Sequence, residues 1–168
     1  MIGNEFLRIS TEKLRRSGSR IEDCVGRLNY DQIWTRNAEN VNSIGNLVLH
    51  LCGNVRQWIG FGIGELADQR DRNSEFAARG GLQPAELVER AHKTVSEAIN
   101  ILGKFDPARL EEKVTIQNME VTKMEAIYQV VEHFAQHTGQ IMFVTKLLTG
   151  DDLGYFKHLN PGAAARVP

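Results

Sequence analysis

The segment Glu132-His133-Phe134-Ala135-Gln136-His137-Thr138-Gly139-Gln140-Ile141 lies late in a long run of helical periodicity. Residues four apart on an α-helix stand one above the other, so His133 and His137 have the spacing of a metal clamp. A third imidazole, His50, falls in the middle of an earlier run, Ile44 to Phe61, whose pattern is otherwise apolar and core-facing. Three buried imidazoles without anionic neighbours require a reason, and one shared cation supplies it.

Outward from this segment, the last helix opens at Thr122-Lys123-Met124-Glu125, which has the form of a capping box, and closes at Gly150. Met124, Ile127, Tyr128, Val131, Phe134, Ala135, Met142, Thr145 and Leu148 give it a wide apolar arc, the mark of a central bundle helix. The helix that carries His50 sets Ile44, Leu47, Val48, Leu51, Val55 and Trp58 on one face and Asn46, His50, Gly53, Asn54 and Gln57 on another. Gly45 and Gly53 each cost about 1 kcal/mol there relative to Ala, which points to close packing around His50. A first amphipathic helix spans Glu5 to Leu28, and a third runs from Pro84 to Gly103. Between them lie a polar linker from Asn29 to Asn42, a charged connection from Asp68 to Phe76, and a long connection from Phe105 to Val121. In the last of these Lys113-Val114-Thr115-Ile116 is extended but too brief to build a sheet. The pattern is all-α: a four-helix bundle occupying residues 1–150 as a single domain. A C-terminal tail, 151–168, is expected at the surface with Tyr155 and Phe156 tucked in.

The balance of 20 Lys and Arg against 21 Asp and Glu leaves no basic footprint for nucleic acid. No stretch reaches the ~18 apolar residues of a membrane span, and the N-terminus has no apolar leader. Two cysteines, Cys24 and Cys52, both within helical patterns, fit a reducing, cytoplasmic setting. Cys52 stands about 200 degrees from His50 around the helix and reads as a small core residue.

Three neutral imidazoles, His50, His133 and His137, leave a divalent ion its full charge and an open coordination position. That is the composition of a catalytic rather than a structural zinc-type site. Imidazole suits Zn, Ni, Cu, Fe and Co alike, so these ligands do not fix the metal; Zn or Ni is the expectation, with Fe, Mn and Co as alternatives. Asn46, Asn54, Gln57, Trp58 and Gln140 are candidates to support the ligands or to contact a small-molecule substrate. Arg70, Arg72 and Glu75 have the chemistry to hold an anion at the bundle mouth. A charged connection is ordinarily solvated, so of these only Arg72 is kept as a candidate substrate contact. Glu132 adjoins His133 but projects elsewhere on the helix, which leaves no carboxylate placed as a general base.

Asn42-Ser43-Ile44-Gly45-Asn46-Leu47-Val48-Leu49-His50-Leu51-Cys52-Gly53-Asn54 with Gln57-Trp58-Ile59, together with the His133–His137 segment, closely resembles the DinB-like superfamily. The resemblance spans nearly the whole chain. It implies an up-down-down-up bundle, frequently a homodimer, with a divalent metal on His50, His133 and His137. It also implies kinship with bacillithiol and mycothiol S-transferases, a thiol-dependent isomerase and metal-dependent hydrolases. The expected function is accordingly transfer of a low-molecular-weight thiol to an electrophile. The alternatives are metal-dependent hydrolysis and a non-catalytic, metal-stabilised, stress-related binding protein.

Overall fold

The computed structural model describes residues 2–159. In chain order the elements are α1 (Ile2–Gly26), the short α2 (Tyr30–Trp34), α3 (Ile44–Val55), the short α4 (Arg72–Ala77), α5 (Pro84–Lys104), the strands β1 (Lys113–Ile116) and β2 (Met119–Thr122), and α6 (Lys123–Thr149). α3 is prolonged by a π turn over Arg56–Phe61. Helix starts coincide with side chains able to cap them: Ser43 with Asn46 at α3, and Thr122 with Glu125 at α6. Gln83 and Glu86, with Pro84 in the first turn, open α5. Gly150, at a φ of 74°, closes α6 in the left-handed conformation that glycine adopts without cost.

The four long helices form a ring in which α1 and α3 are diagonal, each packing on both α5 and α6. Their directions follow from who meets whom. Gly18 of α1 abuts Val95, while Gly3 abuts Pro107 and Leu110 beyond the end of α5, so α1 and α5 run antiparallel. Arg56 reaches Glu97 and Gly64 meets Ile101, so α3 and α5 run parallel. His50 meets His133, while Gly62 abuts Ile116 just ahead of α6, so α3 and α6 are antiparallel. The order is up-down-down-up. Two consecutive long helices that run parallel need a connection returning the length of the bundle, and the segment bearing α4 provides it. The core between the helices is aliphatic, with Leu14, Ile21, Leu51, Leu87, Leu102, Ile127 and Ile141 all fully buried.

Three connections are more ordered than their composition implies. The polar linker holds α2, whose Ile33 and Trp34 are buried, with Trp34 Nε1 donating to the Leu82 carbonyl. A Cβ on Gly45 would press into the Trp34 ring, so that glycine is where the linker meets α3. The connection before α6 is a hairpin, with β1 and β2 pairing antiparallel from Lys113 opposite Thr122 to Ile116 opposite Met119. Its two-residue turn has Gln117 and Asn118 at φ of 52° and 63°, the signs a type I′ turn demands. The strands need no partner sheet, because Ile116 packs on Gly62 and is itself buried. Beyond α6, Leu153 is buried and Tyr155 donates to Asp23 at 2.6 Å, whereas Phe156 is exposed rather than tucked in. The expectation for the remainder of the tail, 160–168, lies outside the described residues.

Asn46, fully buried in the first turn of α3, binds the crossover to that helix. Its Nδ2 donates to the carbonyls of Glu75 and Ala78, both at 2.9 Å, and its Oδ1 accepts from the backbone N–H and hydroxyl of Ser43. Asn46→Ala removes the side-chain donor from the Glu75 and Ala78 carbonyls, the latter keeping its bond from Arg79, and leaves the buried Ser43 N–H without its acceptor; we expect it to cost about 1–3 kcal/mol. Chemical denaturation of the variant beside the parent measures this.

Candidate metal centre

α3 presents His50 toward α6, which presents His133 and His137 one turn apart. The three rings meet edge to face, and they meet through the same atom. His133 Nε2 lies 3.1 Å from His50 Nε2 and 3.0 Å from His137 Nε2, and all three atoms fall within 4.8 Å of one another. Imidazole nitrogens about 2.0–2.1 Å from one divalent ion stand about 2.9–3.4 Å apart for ligand angles between square and tetrahedral. The two separations made by His133 are in that range, and the third, between His50 and His137, is bounded at 4.8 Å. No Cys, Asp or Glu among the described residues joins the cluster, so a metal held here keeps an open position.

The partners on the far side of each ring decide where the protons are. His50 Nδ1 faces Glu75 Oε2 at 3.0 Å and donates to it, which leaves a bare lone pair on Nε2. His137 Nδ1 donates to Gln140 Oε1 at 2.7 Å, with the same result. With His50 and His137 in those tautomers, a proton on His133 Nε2 bridges only one of the two lone pairs, and one shared cation accommodates all three nitrogens. The residues present therefore fit a divalent ion.

The expectation of imidazoles without anionic neighbours, and of a solvated charged connection, is corrected here. Asp71 accepts from the Ser74 backbone N–H and starts α4, which carries Glu75 into the interior, 6% exposed. Arg70 grips that carboxylate in a fork, Nε to Oε1 at 2.8 Å and Nη2 to Oε2 at 2.9 Å, with its own side chain only 3% exposed. Arg70 Nη2 also lies 3.1 Å from His50 Nδ1; both nitrogens are donors, and the carboxylate between them takes both protons. Burial would push the Glu75 carboxyl up, but the bonds from Arg70 and His50 outweigh it and hold the group below its ordinary value. Gly53 is the structural precondition, because any Cβ there would overlap the Glu75 carboxylate. A carboxylate behind a ligating imidazole fixes its tautomer and raises its basicity. Two signals in the sequence pointed this way: Asp71 three residues before a Ser as an N-cap, and a glycine one turn from His50.

The other candidates divide by location. Gln140 and, through Arg70, Gln57 support the cluster: Gln57 Oε1 accepts from Arg70 Nη1 and from Gln117 of the hairpin turn, while its Nε2 donates to Asp68. Asn54 is buried with its Oδ1 unpartnered, and His133 Nδ1 is likewise buried and unpartnered. Trp58 is a core residue whose Nε1 has no partner, and Asn46 has its polar atoms engaged by the protein. Arg72 is exposed at the start of α4 and rests on Phe76. Cys52 is buried near Thr94, away from the imidazoles, and burial pushes its thiol up to about 11. A cavity of about 560 Å³ lies between α3 and α5, lined by Leu49, Cys52, Gly53, Gln57, Arg70 and Glu75 among others. None of the three histidines lines it, so the Arg70–Glu75 pair is the wall between cavity and cluster.

The family described as "Protein of unknown function (DUF1572)" matches residues 1–159. No curated protein matches the chain in sequence. Among solved structures, a conserved protein from Enterococcus faecalis superposes with a TM-score of 0.73 at 16% identity, covering 86% of this chain and 97% of that one. A DinB-like protein from Bacillus subtilis gives 0.66 at 14% identity, covering 86% and 93%. A mutant of a mycothiol-dependent maleylpyruvate isomerase gives 0.64 at 14% identity, covering 80% of this chain and 60% of that one. At such identities these likenesses show the fold alone. No helix of the described residues is long and apolar enough to cross a membrane.

Burial, reinforced by the charges of its two histidine neighbours, lowers the His133 pKa from 6.5 to about 4. Between those values the unfolded chain binds more protons than the folded metal-free protein, so stability falls as pH drops through that window. We expect the melting temperature of chelator-treated protein to fall between pH 7 and pH 5, and to fall less in His133→Gln. Glu75→Gln removes the carboxylate behind His50, and we expect it to weaken Zn²⁺ affinity about 10–100-fold by competition with a chromophoric chelator.

Proposed function

We propose that this chain, which belongs to the DUF1572 family of DinB-like proteins, is a divalent-metal-dependent enzyme that activates a small thiol and transfers it to an electrophile. The observation that carries this reading is the meeting of three imidazole Nε2 atoms that no Cys, Asp or Glu among the described residues joins. The likeness in fold to a mycothiol-dependent isomerase agrees with it.

A divalent ion bound by His50, His133 and His137 supplies a positive charge that makes a coordinated thiol far more acidic. The chain's own contribution is to aim the imidazoles. Glu75 holds the His50 proton on Nδ1, and Gln140 does the same for His137. Burial disfavours protonation of both His133 and His137, so neither is lost as a ligand by gaining a proton near neutral pH. Transfer then forms a bond from sulfur to the electrophilic carbon, the leaving group departs with its electron pair, and the thiol proton passes to solvent. Hydrolysis fits less well. A water nucleophile is best served by a general base within hydrogen-bond reach, and the buried carboxylate here, Glu75, touches the far nitrogen of His50.

Elemental analysis should find about one equivalent of divalent metal per chain and little in His50→Ala or His133→Ala. Metal-loaded protein should conjugate a thiol to a chromogenic electrophile. His137→Ala should lose at least about a hundredfold in kcat/KM with its helical circular dichroism unchanged. Ester hydrolysis without thiol consumption would favour the hydrolytic reading. Bound metal without turnover of either kind would leave the site a structural staple between α3 and α6.

A further inference from the structure

Arg72 lies on the exposed first turn of α4, where an arginine would ordinarily sweep through many rotamers. Here its guanidinium carbon sits 4.8 Å from the centroid of the Phe76 ring, and Phe76 in turn packs 4.7 Å from the ring of His50. Stacking on an aromatic face restrains a guanidinium while leaving its N–H edge free to donate. Among the described residues that edge has no carboxylate partner. The opposing charge beside the cluster, Glu75, is already matched by the Arg70 fork. With that pair matched, the side of His50 covered by Phe76 carries one stacked guanidinium, Arg72, with no carboxylate partner among the described residues.

We infer that Arg72 is a specificity-determining residue that selects negatively charged ligands for the histidine site, and so favours thiols bearing a carboxylate over neutral or cationic ones. The thiol half of this statement rests on the function proposed above; the charge half does not. An arginine already immobilised loses little further freedom on binding, and its planar fork matches a carboxylate. At a solvent-exposed position such a pair is worth up to about fivefold in affinity, repulsion of an ammonium there costs a similar factor, and both weaken with salt.

The test uses Co²⁺-loaded protein and the charge-transfer absorption that a coordinated sulfur produces. Mercaptopropionate, mercaptoethanol and cysteamine are titrated into the parent, Arg72→Gln and Arg72→Lys. Because the three thiols differ in acidity, the decisive quantity is how the ratio of their affinities changes between proteins. We expect the mercaptopropionate-to-cysteamine ratio to be about tenfold larger in the parent than in Arg72→Gln, partly restored in Arg72→Lys, and compressed by added salt. An unchanged ratio in Arg72→Gln overturns the inference while leaving thiol binding intact. If no thiol gives the band, the thiol reading fails, and azide then decides the role of Arg72. Weaker perturbation of the cobalt spectrum by azide in Arg72→Gln supports anion selection; equal perturbation overturns it.

Discussion

The arrangement of this protein around His50 depends on one buried carboxylate. Glu75 is charged in a place where charge is costly, and it is tolerated because the Arg70 fork and the His50 N–H satisfy both oxygens. Everything near it is shaped to that end. Gly53 vacates the volume the carboxylate fills, Asn46 ties the α4 carbonyls to α3, and the π turn sets Gln57 where it holds Arg70. The clamp in turn leaves the Nε2 of His50 with a bare lone pair. In this sense the donor set is prepared by a surface crossover as much as by the helices that bear the ligands.

The bundle and its ligands were legible because each rests on a short-range rule. The His133–His137 interval places two imidazoles on one face whatever surrounds them, and the Thr122–Glu125 capping box marks where α6 begins. The polar stripe through His50 stood out because solvation does not explain polarity beside so apolar a face. What was not legible rests on distant or subtle terms. Glu75 lies 25 positions from His50, and nothing periodic joins them. The short helix α4 offers only an Asp71 cap and a single Phe76 as its apolar anchor, so composition favoured a solvated connection. β1 is legible as the extended stretch Lys113–Ile116, but its pairing with β2 is not, because that depends on Gln117 and Asn118 accepting positive φ and on Ile116 finding Gly62. Phe156 was misjudged because an aromatic in a polar tail is a weak signal: its neighbour Tyr155 has a hydroxyl that Asp23 can hold, and Phe156 has none.

Charge and cavity are disposed on opposite sides of the same wall. Facing α6, the histidines offer nitrogen donors, with the Arg72 guanidinium stacked on Phe76 beside His50. Facing α5, the cavity beside Cys52 and Gly53 is reached without passing the imidazoles. The thiol of Cys52, raised to about 11 by burial, is inert there, so any sulfur chemistry at the histidine site belongs to a ligand brought from outside.

The interval between the ligands also has a temporal meaning. His50 and His133 are separated by 83 positions, and the intervening chain includes the crossover, α5 and the hairpin. Such a contact is among the last that loop-closure entropy permits, and during synthesis it must wait until α6 has left the ribosome. A cation held by all three imidazoles would thus act as a completion latch: it would reward only chains whose last helix has already docked, and would slow the reopening of the seam between α3 and α6 while leaving the α1–α5 pair free to form earlier.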